Sequence, residues 1–263
     1  MATAVAKRVR GMVAAASVAA TVAGISGPGT ALADDPPPVP IEHRVIGWSV
    51  QGRPIVARRF GHPGGTVVVA VGTIHGDEKS GLQVARALAT GKVPRGYDLW
   101  VVRDGNPDGT AAGRRRNARG VDLNRNFGVW WAQTPCPGPY CSGPSPMSEP
   151  ESQALAGFLS TIQPRLVVFF HSEGPHIVDN PIRGLRRTDV LHAYADGASA
   201  SVANLHCGLD SCTGNATQFV NRTIAGATSF VVELPCHDRC MPPNQVARHI
   251  RGFWAAARAV AAD

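Results

Sequence analysis

The sequence predicts an α/β fold, a three-layer α/β/α sandwich around a mixed, mostly parallel sheet. Three observations predict it. Short, unbroken apolar runs recur along the chain, as strands buried on both faces require. Segments of helical periodicity alternate with them, the pattern that builds a parallel sheet. And 263 residues, 44% hydrophobic and 17% charged, suffice for one domain with a sizeable core.

Residues 1–33 read as a secretory signal: Lys7, Arg8 and Arg10 form a basic start, 12–25 an Ala-rich apolar stretch, and Ala31-Leu32-Ala33 a small-x-small cleavage site. The apolar stretch falls short of the roughly 20 residues a membrane span needs. Residues 34–42, with four prolines, read as an extended lead-in. Strands are expected at 66–71 (TVVVAV), 99–102 (LWVV), 166–170 (LVVFF) and 230–232. Helices are expected at 79–90, 151–162, 188–205 and 244–262, and Ser148-Glu149-Pro150-Glu151 has the form of a capping box before the second. Residues 104–147 are Gly/Pro-rich with little periodicity, and a long irregular stretch in a compact domain is usually functional.

The formal net charge of +7 invites a nucleic-acid reading. Removal of Lys7, Arg8 and Arg10 with the signal leaves +4 on 230 residues, and 23 Arg against 3 Lys reads as compositional bias. A nucleic-acid footprint would be clustered and interleaved with aromatics, so no such partner is expected. Six cysteines form three close pairs, Cys136/Cys141, Cys207/Cys212 and Cys236/Cys240. In an exported chain disulfides are the default. Sequence leaves 15 pairings open, of which nearest-neighbour pairing is the expectation. The spacings CxxxxC and CxxxC lack the CxxC pattern of a structural zinc knuckle.

Polar residues gather after each buried run: Gly72-Thr73-Ile74-His75-Gly76-Asp77-Glu78, then Arg103 to Gly109, then His171-Ser172-Glu173, with Glu233 closing the fourth. Sites in open α/β sheets form at the carboxyl ends of strands. His75, Glu78 and His171 are a His₂Glu set, three ligands that leave a fourth position open on a catalytic zinc. Alone the pattern is weak, since with nine His and six Glu a His-x-x-Glu pair also arises by chance. Taken singly, His75 reads equally as a loop histidine, His171 as a core-edge histidine and Glu233 as a salt-bridged strand-end acid.

The ordered set HGDE, NPDG, RRRN, GVDLNRNF, FFHS and SFVVELP resembles the M14 zinc carboxypeptidase family, from about Arg53 to Pro235. It is most similar to the short bacterial murein peptide amidase branch, through NARGVDLNRNF (117–127) and SGPSPMSEPESQAL (142–155). The resemblance implies one catalytic domain over 43–263, one Zn²⁺ per chain and His75, Glu78 and His171 as its ligands. It makes Glu233 the general base and later proton donor to the leaving amine. Arg115, two residues before Asn117, becomes the cation that stabilises the oxyanion. Asn124 and Arg125 become the pair that grips a substrate carboxylate, a task that suits the planar arginine fork. Asp122 becomes the acid that orients a zinc-ligand histidine.

The implied activity is hydrolysis of a peptide bond near a free carboxylate by zinc-activated water, in peptides or muropeptides at the γ-D-glutamyl–diaminopimelate bond. The chain is then expected to be extracytoplasmic, wall-associated or free, and monomeric. An ordinary carboxypeptidase, a zinc acyl-amino-acid deacylase and an inactive wall-binding module are the alternatives. The chain departs from the digestive-type pattern in one place: 209–230 holds no tyrosine, leaving Tyr140 and Tyr194 as substitutes that nothing in the sequence positions. The specificity position falls near Gln218, which would make a polar lining.

Overall fold

The structure, a computed structural model, describes residues 39–172, 174, 176–179, 185, 187–204 and 213–262. The expected signal 1–33, most of the lead-in, and Cys207 and Cys212 lie outside the described residues. Among the described residues eight strands form one sheet: β1 (Glu42–Trp48), β2 (Pro54–Gly61), β3 (Thr66–Val71), β4 (Tyr97–Val102), β5 (Leu166–His171), β6 (Ile177–Asp179), β7 (Ser201–Ala203) and β8 (Thr228–Glu233). The helices are α1 (Ser80–Thr90), α2 (Pro107–Ala112), α3 (Pro150–Ile162), α4 (Thr188–Ala198), α5 (Ala216–Thr223) and α6 (Pro243–Ala261). The strand order is β1-β2-β4-β3-β5-β8-β6-β7. The central four, β4, β3, β5 and β8, are parallel, while β1, β2 and β6 join antiparallel.

The unbroken apolar runs are explained by burial on both faces. Along β5, Leu166, Val168 and Phe170 enter one core with α1, α4 and α6, while Val167 and Phe169 enter the other with α3 and α5. β3 divides likewise, with Val68 and Ala70 on one side and Val69 and Val71 on the other. This is the expected three-layer sandwich with a mixed, mostly parallel sheet.

Three local expectations are corrected. The helix expected over 188–205 ends at Ala198, where Ser199 adopts a left-handed conformation (φ 52°) and the chain turns into β7. The capping box does not form. Glu149 is the N-cap residue without a side-chain cap, and the Ser148 hydroxyl bonds the Glu149 carboxylate. Glu151 instead accepts from the Val50 amide and from Asn117. The lead-in gives way to β1 at Glu42, and the β1–β2 hairpin was not visible beforehand, because EHRVIGW mixes charged and apolar residues on a half-exposed edge. Two expected disulfides are formed, Cys136–Cys141 and Cys236–Cys240. Among the described residues no helix is long and apolar enough to cross a membrane.

Candidate metal centre and active site

Chain order reverses around β3: the chain moves from β3 to β4 on one side, then to β5 on the other. Loops leaving adjacent strands in opposite directions open a crevice at their carboxyl ends. His75 and Glu78 follow β3, His171 ends β5, and Glu233 ends β8 at the register position beside His171.

The β3 loop is held by its neighbours. The Asn106 side chain donates to the carbonyls of Ile74 and Arg115, both at 3.1 Å, and accepts from the Gly109 amide at 3.0 Å. One buried amide thus joins the metal loop, the Arg115 segment and the start of α2. A Cβ on Gly76 would overlap the backbone of Gly109 and Thr110, so only glycine allows this contact. The Gly76 amide donates to the Arg115 carbonyl, and the Thr73 hydroxyl to the His75 carbonyl.

His75, Glu78 and His171 are buried, and their ligand atoms lie within 4.8 Å of one another. Glu78 Oε1 is 2.8 Å from His75 Nδ1, and Oε2 is 2.9 Å from His171 Nδ1. His75 Nε2 lies 2.9 Å from Asp122 Oδ1. An ionised Asp122 only accepts, so Nε2 carries the proton. In a neutral ring Nδ1 then turns a lone pair on a carboxylate oxygen, a contact that needs a cation between them. A His₂Glu set fits zinc. Without metal a proton fills the place. Burial opposes the charge on His75, but Glu78 and Asp122 outweigh it and push its pKa up to about 9. Burial likewise opposes ionisation of Glu78 and Asp122. The two histidines nonetheless hold Glu78 well below the usual carboxylate range, and His75, Arg115 and Arg125 hold Asp122 down.

Of the three consecutive arginines, Arg115 reaches this cluster. Its Nη1 donates to Glu78 Oε1 and its Nε to Asp122 Oδ2, both at 3.0 Å. Arg116 donates to the Gly138 carbonyl instead. Asn124 and Arg125 occupy a 3₁₀ turn (Leu123–Arg125) that Asp122 caps through the Asn124 amide. Asn124 Oδ1 accepts the Ala216 amide at the start of α5, and Gln218 is buried in that helix's first turn.

The two substitute tyrosines separate. Tyr194 is fully buried in the core, 3.0 Å from His249 Nδ1, away from the crevice. Tyr140 is half-exposed, with its ring centroid 5.6 Å from the Arg115 guanidinium carbon and 5.2 Å from that of Arg125. Sequence reasoning missed the supporting residues. Asn117 donates to Glu149 and Glu151 and accepts the Arg119 and Val121 amides, shaping the turn that delivers Asp122. Asn106 was legible only as part of a motif, since nothing marks a loop asparagine as a buried clamp.

The model of the zinc carboxypeptidase family (peptidase M14) matches residues 38–256. The chain belongs to this family. As a zinc carboxypeptidase family member it is similar to murein peptide amidase A of Escherichia coli K12, 38% identical over 116 residues. That match covers 40% of this chain and 48% of the relative, so the chain spans about half the length of the curated relatives it matches. Rat carboxypeptidase B is 36% identical over 99 residues, covering 33% of this chain and 23% of the relative. Among solved structures, carboxypeptidase A from Helicoverpa armigera superposes with a TM-score of 0.71 at 21% identity, over 85% of this chain and 69% of that one. Murein-tripeptide amidase from E. coli O157 does so with a TM-score of 0.61 at 24% identity, over 84% and 92%. At these identities the likeness is one of fold, and the family is one of hydrolases.

Proposed function

We propose that the chain is an exported zinc-dependent metallopeptidase that hydrolyses a peptide bond close to a free carboxylate, in cell-wall peptides at the γ-D-glutamyl–diaminopimelate bond. The observation that carries this reading is the buried His75–Glu78–His171 set, with Glu233 beside His171 in register. Bound zinc would supply Lewis acidity to a carbonyl and a water. The chain's own residues do the rest. Glu233 takes the proton of the attacking water and passes it to the leaving amine. Arg115 faces the negative charge that develops on the carbonyl oxygen, a contribution of about 3–4 kcal/mol for a preorganised donor. Arg125 and Asn124 hold the substrate carboxylate. Asp122 fixes the His75 ring so that Nδ1 faces Glu78, where the set would hold a metal.

The wall substrate is supported by the similarity to murein peptide amidase A and by the polar Gln218 in the first turn of α5, the helix whose start Asn124 holds, which suits a zwitterionic residue. Export is supported by the signal-like 1–33 and by paired cysteines. The test is a defined muropeptide panel incubated with the zinc-loaded mature chain and read by mass spectrometry. Cleavage between D-glutamate and diaminopimelate is expected. Release of C-terminal residues from hippuryl-type substrates with no muropeptide turnover favours the second reading, an ordinary carboxypeptidase, which the carboxypeptidase B match supports.

A further inference from the structure

We infer that the Cys236–Cys240 disulfide is a positioning element for the reaction: it clasps the loop that leaves Glu233 onto the start of α1, beside Glu78, and so fixes the base against the metal-ligand set. The inference rests on the function proposed above. Glu78 lies in the loop after β3 and Glu233 ends β8, with β5 between those strands. Two interstrand spacings separate the strands by about 10 Å. Outside the sheet a second bridge joins them. The Lys79 amide donates to the His237 carbonyl, and the Ser80 hydroxyl lies 3.1 Å from Cys236 Sγ. The Gln83 side chain donates to the Met241 carbonyl at 3.1 Å and accepts the Met241 amide at 3.2 Å. The loop after Glu233 therefore lies along the first turn of α1, from the residue that follows Glu78.

Both ends of this bridge are anchored. The Leu234 amide donates to the His171 carbonyl at 2.9 Å, which ties the loop's departure to a metal-facing residue. A Cβ on Gly81 would overlap the Gly72 carbonyl and Phe170 Cβ, so the start of α1 is pressed against the ends of β3 and β5. Between the anchors the loop has little to order it. Pro235, His237, Asp238, Arg239 and Cys240 are exposed, and Arg239 is left-handed (φ 56°). So little apolar burial offsets the entropy of fixing five residues poorly. The Lys79–Asp238 ion pair, 3.6 Å with the acid exposed, adds little. The crosslink between residues 236 and 240 supplies the order by removing open conformations of the loop. Glu78 has its own bonds to His75, His171 and Arg115. Opening the clasp therefore frees the Glu233 side and leaves the ligand set in place.

The experiment compares wild type with Cys236→Ala/Cys240→Ala, and with Gln83→Ala, which cuts the loop from the partly exposed face of α1 and keeps the disulfide. Both variants are expected to lower kcat on a cleavable peptide, the first about 10–100-fold, the scale of a misplaced catalytic group. KM is expected to stay within about twofold, since substrate contacts are untouched. Zinc stoichiometry by elemental analysis is expected to be unchanged. Hydrogen exchange on the metal-free proteins gives a readout without turnover: the Leu234 and Met241 amides are expected to exchange at least about tenfold faster in the first variant. Thermal midpoints identify the temperature at which every protein is folded. Wild type that cleaves no peptide overturns the proposed function, and amide exchange then still decides whether the clasp holds the end of β8. Active wild type with kcat per folded molecule preserved in the first variant makes the disulfide a stability staple and overturns the inference alone. Unchanged exchange at Leu234 overturns it as well, as does a parallel loss of zinc, which would place the clasp under the ligands rather than the base.

Discussion

Nε2 of His75 sits 2.9 Å from Oδ1 of Asp122, and the other oxygen of Asp122 accepts a hydrogen bond from Arg115 Nε. One buried carboxylate thus sets the tautomer of the His75 ring and anchors the Arg115 guanidinium. Asp122→Asn keeps the shape but replaces one acceptor oxygen by a donor and removes the charge. Outer-shell partners of this type contribute about 10–100-fold to metal affinity. Competition with a chelator is expected to show zinc held that much more weakly; unchanged affinity would mean that Asp122 does not orient His75.

Glu233 adjoins the metal set without belonging to it, since the ligand cluster closes on His75, Glu78 and His171. Glu233→Gln removes the proposed base and leaves His75, Glu78 and His171 alone. Turnover is expected to fall about 10²–10⁴-fold, the usual worth of a positioned acid–base group, with zinc stoichiometry unchanged by elemental analysis. Activity within a few-fold of wild type would remove Glu233 from proton transfer.

His75, Glu78, His171 and Glu233 were legible because each ends or follows a buried apolar run, and such runs are read easily when both faces of a strand are covered. Arg115, Asp122, Asn124 and Arg125 instead lie in irregular chain or a 3₁₀ turn and were reached only through the family resemblance. Of the neighbouring elements, β1 and β2 were not legible, because consecutive polar residues, Glu42-His43-Arg44 and Arg58-Arg59, interrupt the apolar alternation that marks a strand. The 188–205 helix was overextended, because nothing in the sequence marks Ser199 as a left-handed stop. Ser148 and Glu151 fitted the capping pattern, yet tertiary partners took both side chains: Glu149 and Asn126 engage Ser148, and Val50 and Asn117 engage Glu151. Of the substitute tyrosines, Tyr140 and Tyr194 were indistinguishable until the fold buried one in the core.

The metal-free protein carries a pH signature. His75 binds its proton more tightly folded (about 9) than unfolded (about 6.5), despite burial, because Glu78 and Asp122 face it. The protonated contact therefore contributes stability in full below about pH 6.5 and loses it as pH rises through about 9. Chelator-treated protein is expected to show a falling thermal midpoint across that window, and zinc-loaded protein a flatter one. Zinc must also displace this proton, so affinity is expected to rise with pH over the same range. A metal-free midpoint that is level from pH 6.5 to 9 contradicts the charge state assigned to His75.

Asn106 offers the sharpest separation between building the site and working in it. Its side chain touches no metal ligand atom, yet it bonds the backbone of Ile74, next to His75, the backbone of Arg115, and the Gly109 amide. Asn106→Ala strands two buried carbonyls and one buried amide, and each unsatisfied group costs about 1–3 kcal/mol. A loss of about 3 kcal/mol or more is expected, read by denaturant midpoint at unchanged m-value. Asn106→Asp keeps the acceptor for Gly109 but sets a buried carboxylate oxygen against the two carbonyl oxygens, so it is expected to be at least as destabilised as Asn106→Ala. If the clamp sets the spacing between the metal loop and Arg115, the surviving folded fraction of Asn106→Asp also shows lowered kcat at full zinc occupancy, because the oxyanion donor has shifted relative to the metal. Lowered stability with wild-type kcat per folded molecule would make Asn106 a fold residue and leave the placement of Arg115 to its own bonds with Glu78 and Asp122.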